Sequence, residues 1–557
     1  MRRIVIVLLL LWVSGSDISA QRTAIITISV VATTDLHGGV LPRGDRGGLA
    51  LFGGYLRNIR AARMRDGGGV LLIDSGDMFQ GTLESNLNEG EAVVRAYNGF
   101  GYSAVAIGNH EFDYGPAGPD ETPHTPGEDA RGALKARAAQ ARFPFLAANT
   151  IDDATGKPVA WPNFKPSTIV NVRGVKVGLV GVTTIDTRAQ TIGANVVGLT
   201  FAPLAPAITR EAMALRASGA TVVIVMAHAG GRCSRLDDPE DLASCDQMQE
   251  IMGVARALPA RLVDMIAAGH THQAMAQDVA GIPIVEAYAN GRSFSRVDFS
   301  VNRSSGAVVA KHIFQPQDVV AGRYESRVVT PDATTNAVLA PAVTKAMTVK
   351  TQPLGVFLET PFPRGNQQDE TALADLITDG MLASVHGADV AFGNGGSLRM
   401  DLPGGPLTYG AVYEVYPFDN RLVMTTLTGD QLTRIISYNL TRTAAPTEIL
   451  PIAGFTVDAK CEGAHLRVVL TRSSGATIRA DEKLTIVTSD FVAGGGDGVM
   501  APAGPVGDVR NPDGSPILRE SVVAWLRDRG GRLNENQFVS AGNRRWHYPM
   551  PRPVICR

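Results

Sequence analysis

The sequence has no strongly basic tract, and no second long apolar run follows its first twenty residues. Lysine plus arginine (52) nearly balance aspartate plus glutamate (54), for a formal charge of −2. There is therefore no global positive field of the kind that holds a chain on a nucleic acid polymer. Without a further apolar run of about 20 residues, the mature chain is expected to contain no membrane-spanning helix. No cysteine directly follows the N-terminal apolar run, which leaves lipid anchoring there unsupported, and no internal repeat is visible. Cysteine is scarce: only Cys233, Cys245, Cys461 and Cys556 are present.

What is present begins with a targeting segment. Arg2 and Arg3 precede an apolar run, Ile4 to Val13, and Ser14 to Ala20 are small and polar. That run is too short to span a bilayer, so residues 1–20 read as a secretory signal peptide rather than an uncleaved anchor. The expected location is exported, periplasmic or secreted. An even cysteine count in an oxidising compartment favours disulfides. Of the three possible connectivities, 233–245 and 461–556 are expected, the second tying down the Pro-rich tail.

At 557 residues the chain exceeds one core, and three or fewer domains are expected. Its 45% hydrophobic and 19% charged residues fit an ordinary soluble globular protein. In the first half, Val- and Ile-rich runs at 24–32, 70–73, 104–107, 177–182, 221–226 and 283–286 read as buried strands. A helix with apolar spacing covers 49–64, and strand-helix alternation favours α/β or mixed-sheet architecture. Residues 115–132 read as a Pro/Gly/acid-rich loop. A helical Ala/Val pattern within 330–350 would connect the halves. Beyond 355, a helix is expected at 370–385 with Asp369 as N-cap. Strands are expected at 422–427, 466–470 and 484–488, and a helix at 429–439. This is a second α/β domain.

Five short motifs end apolar runs in metal-ligand residues: Asp35-Leu36-His37, Gly76-Asp77, Gly108-Asn109-His110-Glu111, Ala227-His228-Ala229 and Gly269-His270-Thr271-His272. Each alone is weak, but the ordered set is specific. Asp35, His37, Asp77, Asn109, His228, His270 and His272 would suffice for two divalent cations, with Asp77 as the bridge. Residues two apart in an extended chain share a side, so Asp35 with His37, and His270 with His272, would each face one way. Imidazole, carboxylate and amide ligands suit Zn, Mn, Co or Fe. Two such cations activate water and clamp phosphoryl oxygens. His110 follows the ligand Asn109 and is expected to point away from the cations. Asp113, three residues on, would fix its tautomer and raise its pKa. His110 would then steady phosphoryl oxygens or assist the leaving group.

These motifs resemble the calcineurin-like metallophosphoesterase superfamily, and specifically its two-domain 5′-nucleotidase and UDP-sugar hydrolase family. The resemblance covers nearly all of the mature chain. It implies an α/β (α+β) fold, with an N-terminal four-layer metallophosphoesterase sandwich and a C-terminal α/β substrate-binding domain. The expected boundaries are 21–325 for the first domain, 326–354 for a linker and connecting helix, and 355–550 for the second domain. It further implies that His110 and Asp113 are catalytic. Gly393-Asn394-Gly395-Gly396-Ser397-Leu398-Arg399 resembles the loop whose arginine contacts phosphate. Tyr416-Pro417-Phe418-Asp419-Asn420 and Ser489-Asp490-Phe491 with Asp497 resemble loops that stack a base and bind ribose. Asn394, Arg399, Phe418, Asn420, Phe491 and Asp497 are thus the expected substrate residues, although Phe418 and Phe491 would by composition be core. Asp375 departs from the family pattern, where a neutral or basic residue is expected, and Arg364 is the nearest candidate for the basic residue preceding it.

The leading expectation is an exported two-metal phosphohydrolase acting on nucleoside 5′-monophosphates as a small-molecule substrate. A 2′,3′-cyclic nucleotide, a UDP-sugar or a sulfur-bound group is an alternative substrate. A non-catalytic nucleotide-binding surface protein is the competing reading of another class, disfavoured because all seven ligand positions are filled. Monomer and dimer are not distinguished.

Overall fold

The computed structural model describes residues 25–118, 121–123, 125, 127–443, 448–512 and 516–557. The expected signal peptide, residues 1–20, lies outside them. In the first half, Ile25–Thr33 is the centre of an eight-stranded sheet. It pairs antiparallel with Ser293–Asn302 and parallel with Gly69–Asp74, and the sheet continues in parallel through Ala104–Ala106 to Phe145–Leu146. A second, six-stranded sheet runs Ser167–Val172, Val175–Thr183, Val222–His228, Met265–Ala268, Ile282–Ala287, Ala274–Val279.

Both faces of both sheets are covered, which is why these strands read as unbroken apolar runs rather than alternating ones. Val30, Ile73, Leu179 and Met226 meet in a core shared by the two sheets. Val31 and Leu72, pointing the other way, pack with Phe52, Leu56 and Tyr97 of the helices Leu49–Arg65 and Glu91–Phe100. On the far side, Val223 and Val225 pack with Ile208 and Ile251 of the helices Leu204–Ala217 and Glu250–Ala257. The order is therefore helix, sheet, sheet, helix: the expected four layers.

Parallel strands of both sheets end at one common edge. The loops after Thr33, Asp74, Ala106, His228 and Ala268 leave from it. Such an edge is where side chains from separate strands can converge on a ligand.

The helix Ala333–Lys350 follows, capped by Asp332, whose carboxylate accepts from Thr335 N at 2.8 Å. Its start lies tight against the first helix. A Cβ on Gly53 would meet Asp332 at 2.9 Å, and one on Gly54 would meet the Thr330 carbonyl at 2.3 Å. Its far end packs Ala346 between Leu83 and Tyr413, so it touches both halves of the molecule.

The second half holds a four-stranded sheet (Leu422–Thr428, Lys483–Ser489, Val390–Phe392, Ile452–Ala453) and two three-stranded ones. The helix expected at 370–385 is Ala372–Ala383. Its cap is Thr371, not Asp369: the Thr371 hydroxyl accepts from Ala374 N, while Asp369 pairs with Arg544. Both expected disulfides are formed, Cys233–Cys245 and Cys461–Cys556. Within the loop expected at 115–132, the described residues form turns and bends as far as Arg131. Among the described residues no helix is long and apolar enough to cross a membrane.

Candidate active site

The seven predicted ligands come together at the common strand edge in two groups. Asp35, His37 and His272 form one; Asp77, His228 and His270 form the other. Asp77 lies between them, its Oδ2 3.0 Å from His228 Nε2 and 3.8 Å from His37 Nε2. Asn109 joins the second group, with Oδ1 3.1 Å from both His228 Nε2 and His270 Nδ1. The grouping differs from the expectation in one respect. His270 and His272, although two apart, face different groups.

The reason is backbone conformation. Asp35, His37, Asp77, His270 and His272 have φ of 49°, 47°, 56°, 81° and 56°. Left-handed backbone costs a non-glycine residue of order 1–3 kcal/mol and clusters at functional sites. The two-residue strand period therefore does not apply to these loops. The strained turns are held by specific bonds: Asp35 N and His37 N donate to the carbonyls of Gly76 and Asp77, each at 2.9 Å. The Asp35 carboxylate accepts from His270 N at 3.0 Å on both oxygens. Gly108 is needed at its position, since a Cβ there would fall 2.1 Å from Asp77 Oδ1.

Hydrogen bonding sets the tautomers and tests whether cations fit. His37 Nδ1 lies 2.9 Å from the Gln80 carbonyl, and His228 Nδ1 lies 2.9 Å from the Ser75 carbonyl. A carbonyl only accepts, so both Nδ1 atoms carry a proton and Nε2 is the atom that each ring turns inward. His37 Nε2 then faces His272 Nε2 at 2.9 Å. His228 Nε2 faces two acceptors, Asp77 Oδ2 and Asn109 Oδ1. Asn109 is oriented by its own Nδ2, which donates to the Gln190 carbonyl at 2.8 Å. So many inward lone pairs call for positive charge among them, and imidazole, carboxylate and amide together form a divalent-cation donor set. Burial pushes His37 and His270 down to about 3, leaving both rings neutral. Burial likewise pushes Asp35 up to about 6. Against the effect of burial, Asp77 carries His228 up to about 10, a proton standing where positive charge is wanted.

His110 does not point away. Its ring meets that of His37 edge-on with centroids 5.3 Å apart. Its Nδ1 is 2.5 Å from Asp113 Oδ2, and Arg399 donates to its Nε2 at 2.8 Å. In this arrangement the ring is neutral, with its proton on Nδ1. Burial opposes protonation, but Asp113 and Asp77 outweigh it and hold His110 above its ordinary value.

Several residues with a part in this geometry escaped the sequence reading. Buried Glu111 accepts from the backbone N–H groups of Asp77, Met78 and Gly108 at 2.7–2.8 Å and so ties two of the loops together. The Thr191 hydroxyl donates to the second oxygen of Asp113 at 2.9 Å. Gln80 orients His37 through its carbonyl and donates its side-chain amide to the Pro417 carbonyl, reaching the other half of the molecule. Glu111 stood in a recognised motif, but no sequence signal marked its backbone partners.

The C-terminal residues arrive at the same place in part. Arg399 lies over Phe418, 5.2 Å from the ring centre, and the Phe418 ring stacks obliquely on His110 at 5.7 Å. Arg364 donates to the carbonyls of Leu398 and Arg399 at 3.3 and 3.1 Å and so supports the arginine loop. Asn394 Nδ2 donates to Asp497 Oδ2 at 2.7 Å. Asn420 Nδ2 donates to Asp490 Oδ1 at 3.2 Å, the same oxygen that accepts from Phe491 N. Asp490, also missed, thus couples the two aromatic loops. Phe418 and Phe491 are half-buried on separate cores, and among the described residues no ring contact joins them. Asp375 is not at the site. It is buried, with Oδ2 3.3 Å from Arg545 Nε, where it helps hold the C-terminal segment.

Comparison with known proteins bears on the family and the fold. Residues 28–274 match the calcineurin-like phosphoesterase family and residues 346–504 match the 5′-nucleotidase C-terminal domain. The chain is 26% identical to Endonuclease YhcR of Bacillus subtilis over 505 residues, which is 88% of this chain but only 38% of YhcR. It is 25% identical to a 5′-nucleotidase of Vibrio cholerae over 561 residues, 92% of each. The fold matches the 5′-nucleotidase precursor of Thermus thermophilus with a TM-score of 0.73 at 24% identity, covering 94% of this chain and 99% of that one. With both domain families matched in this order, the chain belongs to the two-domain 5′-nucleotidase family of the calcineurin-like metallophosphoesterases, although it spans well under two thirds of the length of YhcR.

Proposed function

We propose that the protein is exported and hydrolyses nucleoside 5′-monophosphates to nucleoside and phosphate. The observation that carries this reading is the meeting of Arg399 and Phe418 with His110 beside the donor cluster. A guanidinium and an aromatic face from one half of the molecule stand next to an acid–base group of the other. A substrate with a phosphate and a flat ring would engage both. Export is supported by the N-terminal pattern of residues 1–20 and by the two disulfides.

In this proposal Asp35, His37 and His272 would hold one divalent cation and Asn109, His228 and His270 the other, with Asp77 shared between the two groups. Zn, Mn, Co or Fe would suit these donors. When bound, the two cations supply Lewis acidity and activated water for attack on phosphorus. The protein supplies the rest. Arg399 takes phosphoryl oxygens from the side away from the donors. His110, released from Arg399 by the substrate, uses Nε2 to steady the developing charge or to protonate the leaving oxygen. Asp113, itself held by Thr191, keeps the His110 proton on Nδ1 and favours the charged ring. Asn394 and Asp497 offer polar atoms suited to a ribose, and Asn420 with Asp490 sets the spacing of Phe418 and Phe491 around a base.

The test is phosphate release from AMP, UDP-glucose, 2′,3′-cyclic AMP and 4-nitrophenyl phosphate, with and without added divalent metal. The proposal expects AMP to have the highest kcat/KM. A UDP-sugar or cyclic substrate turned over faster than AMP would replace the substrate assignment and leave the metal centre untouched.

A further inference from the structure

Two adjoining cavities of about 730 and 420 Å³, lined by none of the candidate donors, lie along the N-terminal half of the helix Ala333–Lys350. They sit between it and the helices Leu49–Arg65 and Glu91–Phe100. Both are lined by Gly99 and Val338, so they form one trough. Six arginines line it: Arg57, Arg60, Arg65 and Arg327 in the larger part, Arg95 and Arg142 in the smaller. Asp332 is the one acid in the lining. This is a strong local excess of positive charge on a chain whose formal charge is −2. The floor between the arginines is apolar, with Ala61, Ala96, Phe100, Val338 and Pro341, and Met64 stands 72% exposed at the rim.

The six arginines are not equivalent. Arg57 is engaged by Asp332 at 3.3 Å and by Thr330, Arg60 by the Phe100 carbonyl, and Arg95 by Glu91 at 2.5 Å. The guanidinium groups of Arg65, Arg142 and Arg327 make no ion pair or hydrogen bond among the described residues. Gly99 occupies the junction of the two cavities, and a Cβ placed on it would meet nothing within 4 Å. The trough is recessed between three helices, and each of its two parts has the volume of small-molecule sites, about 300–1,000 Å³. A flat bilayer surface could not enter it.

We propose that this trough binds a small amphipathic organic anion. Its apolar body lies on Phe100 and Val338, and its carboxylate, sulfonate or phosphate head is held by Arg65 and Arg327. Charge-assisted bonds to two otherwise unengaged guanidiniums would fix the head, and the apolar floor would exclude inorganic anions as equal ligands. No residue of the donor cluster or of the recognition loops takes part.

Titration calorimetry of the full-length protein with decanoate, below its micelle concentration, tests this. One decanoate is expected per chain, with decanamide and inorganic phosphate each at least about tenfold weaker. Gly99→Trp, which fills the junction, should abolish binding. The double variant Arg65→Glu/Arg327→Glu should weaken it at least about tenfold. Both variants should keep the wild-type melting temperature and the metal-dependent hydrolysis of 4-nitrophenyl phosphate. Unchanged decanoate binding in the charge-reversal variant, or equal uptake of decanamide, overturns the proposal. So does tight binding of phosphatidylglycerol vesicles without decanoate binding, which would mark a membrane-facing surface instead. If Gly99→Trp does not fold, the charge-reversal variant decides alone, because Arg65 and Arg327 are exposed.

Discussion

In the N-terminal half most of the candidate donors are fixed from behind by partners outside the donor set: His37 by the Gln80 carbonyl, His228 by Ser75, Asn109 by Gln190, and the Asp77 loop by Glu111. The C-terminal groups that face them are paired mainly with one another: Asn394 with Asp497, Asn420 with Asp490, and Arg399 across the gap with His110. The donor cluster is thus complete in its geometry before any substrate arrives. The proposed recognition side is a set of contacts that a substrate would exchange for its own. The first should respond to mutation in an all-or-none way, and the second in a graded and substrate-dependent way.

The largest effect is expected at the point the two donor groups share. Asp77→Ala should remove bound metal and, with it, phosphate release from every substrate. Metal analysis beside an activity assay checks this, and retention of both metals would deny Asp77 its bridging place. Next, His110→Ala should lower kcat by about 10²–10⁴ with metal content unchanged. Asp113→Ala should act in the same direction but less, because it works through His110. If His110→Ala loses metal as Asp77→Ala does, then His110 belongs to the fixed set and the comparison was drawn in the wrong place.

The recognition side gives the graded result. Phe418→Ala with Phe491→Ala should cut kcat/KM for AMP, each stack contributing about 1–3 kcal/mol, and leave 4-nitrophenyl phosphate nearly unchanged. Only the nucleotide has a base through which remote binding can act. Equal loss on both substrates in a folded protein would place the rings in the core. The smallest effect on catalysis is expected from Arg545→Ala. It strips Asp375 and Asp379 of their ion pairs and should cost about 3 kcal/mol in denaturant unfolding, with kcat/KM for AMP unaltered. A change in KM without a change in stability would return Asp375 to the substrate site.

The sequence displayed the two halves unequally, for physical reasons. Strands buried on both faces stand out as Val/Ile runs, so Val175–Thr183 and Val222–His228 were legible. The helix Glu91–Phe100 spans only ten residues between Gly90 and Gly101, which read as turn punctuation, and so did not stand out. The candidate donors stood out in the sequence because each ends an apolar run. Their division into groups did not, because it depends on left-handed backbone at His270 and His272. Nor were Glu111, Thr191 or Asp490 legible as supports: some of their partners are backbone groups or lie tens of residues away. Asp369 looked like a helix cap only because Arg544, its partner, is 175 residues distant in the chain.

The central claim is that one cluster of seven side chains holds two cations and drives phosphoester hydrolysis. It is tested most directly by stripping the protein with chelator and adding back Zn, Mn, Co or Fe while counting bound metal and following phosphate release from AMP. The account predicts no activity in the stripped protein and full recovery only as the second cation per chain is taken up. Full activity without metal, or full recovery with a single cation bound, would contradict it.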